Sequence, residues 1–412
     1  MKDSNVDWLG QIPAHWNLKR AKFVFKQSSS KGNTNLVLLS ATQDRGVVDK
    51  STLEGVVQVA ENADLNTFKT VHINDFVISL RSFQGGFEIS HCEGVISPAY
   101  TVFRLREGDY VGYYKHLFKS VGFIDKINSL TVGIREGKNI QYEDFSNMLI
   151  PVLSIPEQQS IADFLDKKCG EIDEMVSLQE KIVEELKAYK QSVITEAVCK
   201  GLNPNVPMKN SGIGWIGQIP EGWEVRRGKN LAKVLSGFPF NSSLFSLDKQ
   251  YIQLIRIRDI LNNKSSTYYS GDYPLEAIVR KGDILVGMDG DFNVAFWEGE
   301  EGLLNQRVCK LIVNQGVVPK YMYYVIQSPL KEKNDITYST TVKHLATDDI
   351  GVLFVPFPPY EEQQAIADYL DTKCGEIDTL ISVRQTKIDA LKEYKKSIIY
   401  EYITGKKEVP YE

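Results

Sequence analysis

A chain of 412 residues is too long for one ordinary hydrophobic core and predicts two or more domains. Its composition, 42% hydrophobic and 25% charged, is that of a globular protein; no apolar run reaches the ~18 residues of a membrane span and the N-terminus has no apolar leader, which predicts a cytoplasmic protein. The formal net charge of −5 argues, taken whole, against a nucleic-acid binder, and five cysteines without a C-x-x-C pair fit a reducing compartment without structural disulfides.

Read from the N-terminus, the first distinctive element is Trp8-Leu9-Gly10-Gln11-Ile12-Pro13, followed by Trp16. Short strands set off by turn residues come next, such as Phe76-Val77-Ile78-Ser79-Leu80 after Asn74-Asp75, with a short helical pattern over 111–120. Ser154-Ile155-Pro156-Glu157 has the S-x-x-E form of a capping box, with proline in the tolerated first turn. Ile172, Met175, Ile182, Leu186, Tyr189 and Val193 then recur at spacings of three, four or seven, the apolar seam of a long helix that Gly201 and Pro204 stop. At Trp215 the chain begins again. Trp215-Ile216-Gly217-Gln218-Ile219-Pro220 and Trp223 repeat the opening motif after 207 residues. Ile284-Leu285-Val286-Gly287, after the turn residues Gly282-Asp283, and a tyrosine-rich pattern over 319–328 predict the same strand and helix types. Glu362-Gln363-Gln364-Ala365-Ile366-Ala367-Asp368-Tyr369-Leu370-Asp371 then repeats Glu157 to Asp166 after 205 residues, and Cys374-Gly375-Glu376-Ile377-Asp378 repeats Cys169 to Asp173 in register. A second seam follows at Ile377, Ile381, Ile388, Leu391, Ile398 and Tyr402, with Gly405 and Pro410 as stops. The fold class is therefore α+β. Two copies of a mixed α/β-type unit are each followed by a long helix, and the two helices, each with one apolar stripe, are expected to pack on one another. Gly170 and Gly375, inside the helical pattern, predict a kink or a close helix crossing, since glycine there costs about 1 kcal/mol.

Charge looks different once divided. Residues 156–200 carry ten acidic and six basic side chains, and residues 359–404 carry nine and six. The negative total belongs to the helices, which leaves the mixed units free to be locally basic.

Constellations for catalysis are weak. Phe357-Pro358-Pro359-Tyr360 resembles the substrate loop of amino-methyltransferases, but Phe cannot accept the hydrogen bonds of a target amine, and no glycine-rich cofactor loop precedes it. Asp125 with Glu136-Gly137-Lys138 fits a nuclease pattern only loosely, and the second copy offers Thr341-Val342-Lys343 without the carboxylate. His91-Cys92 lacks a second metal-ligand pair, and no phosphate-binding loop for ATP occurs. What remains are polar and basic residues beside glycines and aromatics in predicted loops. In the first copy these are Lys31, Asn33, Gln43, Arg45, Arg81, Ser82, Gln84, Arg135 and Lys138. In the second they are Asn241, Arg256, Arg258, Asp289, Asn293, Asn305, Arg307, Thr341 and Lys343. These residue types read base edges, Arg or Lys toward guanine, Asn or Gln toward adenine and Asp toward cytosine, or hold phosphates. Arg81 and Arg307 stand out because small neighbours would let DNA approach closely. Framework segments match between the copies whereas residues 28–60 barely resemble 236–270, so two different half-sites are expected rather than a palindrome.

The opening W-x-G-x-I-P-x-x-W of each half, the P-x-x-E-Q-x-x-I-A-x-[FY]-L-D opening of each helix (Pro359 to Asp371, and Pro156 to Asp166 in a compressed form), and the segments Ser97-Pro98-Ala99-Tyr100 and Ser236-Gly237-Phe238 resemble the specificity subunits of type I restriction–modification systems over essentially the whole chain. The resemblance implies two target-recognition domains (1–153 and 213–357), two long helices (154–201 and 358–405) forming an antiparallel coiled coil that spaces the domains, a linker (202–212) and a tail (406–412). It further implies a non-catalytic subunit with no cofactor of its own. Its expected partners are double-stranded DNA, two copies of a modification subunit that binds S-adenosylmethionine and methylates adenine, and a motor–nuclease restriction subunit that uses ATP and magnesium. Two other readings stay open: an enzyme with a fused DNA reader, and a coiled-coil adaptor whose heads bind protein.

Overall fold

The computed structural model describes residues 1–31, 36–42, 45–53, 65–78, 86–106, 108–130, 140–336 and 343–410. Two helices run far longer than the rest, α1 (Ile155–Lys200) and α2 (Tyr360–Ile403). The chain divides into two compact units, one comprising Met1–Glu180 with Thr386–Glu412 and the other Lys181–Gln385. Both divisions fall inside the long helices. Each unit thus holds one mixed head, the first stretch of one helix and the last stretch of the other.

In the first unit, β1 (Phe25–Ser28), β2 (Phe76–Ile78), β3 (Phe87–Ile89) and β4 (Thr101–Leu105) form an antiparallel sheet in the order β1-β4-β2-β3. The second unit repeats it with β5 (Ala232–Ser236), β6 (Ile284–Gly287), β7 (Val294–Phe296) and β8 (Val308–Val313), ordered β5-β8-β6-β7. These strands are short β-branched and aromatic runs, and β2, β3 and β6 are buried along their whole length, as suits a sheet covered on both faces. A pair of helices follows each sheet, Val111–Leu117 with Val121–Leu130 and Pro319–Val325 with Gln327–Ile336. The second unit adds a five-stranded sheet, in which Ile252–Ile255 pairs in parallel with Gly302–Leu304.

One frame is filled in two ways. The first core is a cluster of phenylalanines, in which Phe25, Phe76, Phe87, Phe103, Phe118 and Phe145 make edge and tilted ring contacts at 5.0–5.9 Å. The second core sets Ile284, Val286, Met288, Cys309, Leu311 and Met322 beside fewer aromatics, among them Phe292, Tyr321 and Tyr324. Strand register makes Phe76 the counterpart of Ile284 and Phe103 that of Leu311.

Along α1 the buried positions Leu165, Cys169, Ile172, Val176 and Val183, with buried Gln179 between the last two, step by four and three, a strict heptad seam. The expected seam matches it only in part. Ile172 is buried, but Met175 and Tyr189 are 42% and 59% exposed. Two apolar stripes with the same spacing overlap at Ile172, and periodicity alone cannot tell which faces inward. For α2 the expectation holds, since Ile377, Ile388, Ile398 and Tyr402 are buried. A close helix crossing at Gly170 and Gly375 is not found: no atom lies within 4 Å of where a Cβ would sit at either, and both helices run through unbroken.

Within each unit the two helical stretches run antiparallel. In the first, Lys395 Nζ lies 2.7 Å from both carboxylate oxygens of Asp173, Lys392 reaches Glu180 at 2.9 Å, and Phe164 packs on Tyr402. In the second, Lys190 Nζ lies 2.7 Å from both oxygens of Asp378. Asp173 and Asp378 are equivalent in the repeat, as are Lys190 and Lys395, so the same ion pair is built once in each unit. Among the described residues, no helix is long and apolar enough to cross a membrane.

Candidate nucleic-acid interface

The repeated motifs prove to be the joints between head and helix. Trp16 Nε1 donates to Glu157 at 2.8 Å, and Trp223 Nε1 donates to Glu362 at 2.8 Å. The neighbouring glutamines are fully buried. Gln158 donates to Asp109 (2.8 Å) and the Leu153 carbonyl (3.0 Å) and accepts from the Tyr110 N–H (2.7 Å). Gln363 donates to the Pro358 carbonyl (3.0 Å) and accepts from the Val318 N–H (3.0 Å). A buried amide must find such partners, so the E-Q pair fixes how each helix leaves its head. About two turns further on, Asp166 accepts from His116 and Lys115, each at 2.6 Å, while Asp371 accepts from Tyr324 at 2.6 Å and Lys320 at 3.2 Å. Burial opposes ionisation of Asp166, but the His116 and Lys115 bonds outweigh it and hold its pKa near 2. Burial also lowers the His116 pKa, more than the Asp166 bond raises it. His116 is thus a neutral donor to an ionised carboxylate.

Phe357-Pro358-Pro359-Tyr360 belongs to this joint. Phe357 ends a strand paired with Glu224–Arg227 and lies under the Arg226 guanidinium at 4.0 Å, and Tyr360 opens α2. Burial pushes the thiols of Cys199 and Cys309 up to about 12, far from nucleophilic thiolates at neutral pH. Among the described residues, no three His, Cys, Asp or Glu side chains converge as a metal site.

The loop residues divide by unit. Of those expected in the first, Asn33, Gln43, Arg81, Ser82, Gln84, Arg135 and Lys138 lie outside the described residues. Lys31 is exposed and bridges through its backbone to Lys69. Lys69 was not foreseen. Its ammonium donates to the Tyr100 carbonyl at 2.5 Å, and burial, then the charge of Lys31, lowers its pKa. Arg45 is exposed at the turn between Leu39–Thr42 and Gly46–Asp49, its N–H bonded to Thr42.

Thr341 in the second unit also lies outside the described residues. Asn241 caps a 3-10 turn, accepting from Ser243 N–H at 3.1 Å. Arg256 is tied inward, to Thr267 and beside Asp259 at 3.5 Å, whereas Arg258 is two-thirds exposed. Lys343 donates to the Asn334 carbonyl at 2.7 Å. The Asn305 backbone pairs with Phe238, and a Cβ on Gly237 would lie 2.0 Å from the Asn305 carbonyl, so only glycine fits that position of Ser236-Gly237-Phe238.

Three segments converge at Asp289. Its carboxylate lies 3.1 Å from Arg307 Nη1 and 2.7 Å from His344 Nδ1. The backbone fixes all three: Met288 N–H donates to the Arg307 carbonyl (3.0 Å), Leu345 N–H to the Met288 carbonyl (2.7 Å), and Gly287 N–H to Asn293 (2.8 Å). Phe292 is buried with φ +49°, a strained conformation for an aromatic residue, and Gly290 at φ +75° completes the turn. Arg307 and His344 remain more than half exposed, while Asp289 is 21% exposed. Asp289 and Arg307 are among the residues expected from sequence to meet DNA, whereas His344, whose partner lies 55 residues away, is not.

A family profile described as the type I restriction modification DNA specificity domain matches residues 220–393. The chain is 39% identical over 178 residues to the type I restriction enzyme EcoBI specificity subunit of Escherichia coli, covering 43% of this chain and 38% of that protein. It is 26% identical over 292 residues to the MjaVIII specificity subunit of Methanocaldococcus jannaschii, covering 66% of this chain and 65% of that one. The matches thus span less than two thirds of both relatives. In fold, a chain from a solved type I R-M system structure superposes with a TM-score of 0.69 at 14% identity, covering 95% of this chain and 98% of that one.

Proposed function

We propose that this member of the type I restriction–modification specificity-subunit family reads double-stranded DNA through its two heads, each recognising a different half of one bipartite, asymmetric target, and performs no chemistry itself. The observation that carries the reading is the pairing of corresponding joints with loops of different sequence. The Trp–Glu, buried Gln and Asp contacts recur in both units, whereas the loop sequences over 28–60 and 236–270 barely resemble one another. Such a frame presents two separate readers in a defined way.

The helices supply the docking surface for partners. Met175, Leu178 and Tyr394 are exposed in the first unit, and their repeat counterparts Leu380, Val383 and Tyr189 are exposed in the second. Large apolar side chains left in solvent at matched positions mark an interaction face, and its duplication fits two copies of one partner, the modification subunit. That subunit binds S-adenosylmethionine and methylates adenine, and a restriction subunit using ATP and magnesium completes the complex in the cytoplasm.

The test is binding of the full chain to duplex DNA across a salt series, together with a methyl-transfer assay. Affinity should fall steeply from low to moderate ionic strength. Methyl transfer should appear only once a modification subunit is added. Binding indifferent to salt would favour a protein-binding adaptor, and methyl transfer by the pure chain would make it an enzyme.

A further inference from the structure

We infer that Arg307 and His344, bracketed by Asp289, read a single G·C base pair in the major groove, with Asp289 as the positioning residue rather than a reader. The inference rests on the DNA-reading role proposed above and names the chemistry of one of its contacts.

Asp289 alone would suit the amino group of cytosine. Its oxygens are already engaged, one by His344 at 2.7 Å and the other by Arg307 at 3.1 Å, and it is the least exposed of the three. What the cluster offers to solvent is therefore the Arg307 guanidinium and the His344 ring. A carboxylate can only accept, so the ring nitrogen facing Asp289 carries a hydrogen, and with the ring hydrogen placed there Nε2 is the acceptor. The guanidinium keeps donors on its outer edge. The set can therefore present a pair of guanidinium donors beside one acceptor.

The major-groove edge of a G·C pair shows two acceptors, guanine N7 and O6, followed by one donor, the cytosine N4 amino group. An A·T pair shows acceptor, donor, acceptor, which this set cannot match. The bracket is also held before DNA arrives. Backbone bonds join the 287–293 turn to the segments at 305–308 and 343–345, and buried Phe292 anchors the turn, so the backbone beneath the three side chains is set in advance. Lys343, bonded to Asn334, is turned to the protein.

Among the described residues, the first unit offers no counterpart of Arg307. Counting from the paired strands, β4 with β2 and β8 with β6, Ala99 stands where Arg307 stands. A methyl group cannot be bracketed by a carboxylate, so this contact belongs to one half-site only.

The experiment is selection of a randomised duplex pool by the full chain with its modification subunit, followed by sequencing, for wild type, Arg307→Ala, His344→Ala and Asp289→Asn. The wild type should select two half-sites. Arg307→Ala should lose G·C preference at one position by roughly ten-fold or more, a bidentate contact being worth ~1–3 kcal/mol. His344→Ala should weaken preference at that same position, and Asp289→Asn should broaden it while leaving the other half-site intact. Because His344 is exposed, its replacement should fold normally. An unchanged preference in His344→Ala, a uniform loss over all sequences, or an effect at a different base pair from that of Arg307 would overturn the bracket while leaving the DNA-reading role standing. A wild-type chain that selects no sequence would overturn both.

Discussion

The two heads use the same strand order and corresponding joints to their helices, yet they differ in core side chains and in loop sequence. Phe76 and Phe103 of the first core correspond to Ile284 and Leu311 of the second, while Gln158 and Gln363 do the same work in both. A core can be refilled if volume and pattern are kept, because burial is non-directional. A buried amide with three fixed partners cannot, because each lost partner is left unsatisfied. Similarity between the units therefore concentrates where polar groups are buried, and divergence where packing or solvent is the only constraint.

The sharpest way to break this comparison is to remove the joints. Gln158→Ala and Gln363→Ala should each destabilise their own unit by about 2–4 kcal/mol, several polar groups being stranded at once. Denaturant unfolding checks it, and a large cost in one unit with none in the other would mean the joints are not equivalent.

The cores should show their difference next. Phe103→Leu, which copies Leu311, should cost about 1–3 kcal/mol through the cavity left among the rings, and Leu311→Phe a similar amount through overpacking. Thermal unfolding of both variants measures it, and a neutral exchange would mean the two cores are interchangeable.

A pH effect should separate the units as well. His116 occupies the place that Tyr324 holds in the second unit, and burial lowers its pKa below the ordinary 6.5. Below that value the unfolded chain takes up a proton that the folded site resists, so stability is lost as pH falls from about 6.5 toward the lowered folded pKa. The second unit has a tyrosine there, unaffected in this range. His116→Tyr should abolish the loss between pH 7 and 5, measured as unfolding free energy against pH, and a loss that persists would place its origin elsewhere.

The smallest effect belongs to the paired ions. Double-mutant cycles on Lys190–Asp378 and Lys395–Asp173 should give equal couplings, each about 1 kcal/mol or less because both aspartates are more than half exposed.

Much of the frame was legible before any coordinates. The duplicated Trp, Glu-Gln and Asp residues marked the repeat, and heptad spacing marked both helices and the α2 seam. The α1 seam was half misread because two stripes share Ile172, and only the fold decides which is buried. The site was legible as residue types but not as an arrangement. Asp289 and His344 meet through backbone bonds between distant segments, and Arg256 looked like a reader yet is held by Thr267 and Asp259. Local sequence shows which side chains could contact DNA. It does not show which are already engaged by the protein.

The central claim, that one duplicated frame carries two different readers, is tested most directly by mapping methylated adenines in a host that expresses this chain with the modification subunit proposed for it. The account predicts a single motif of two separated, dissimilar half-sites, with Arg307→Ala relaxing one half and leaving the other unchanged. A palindromic motif, or relaxation of both halves by that one substitution, would contradict it.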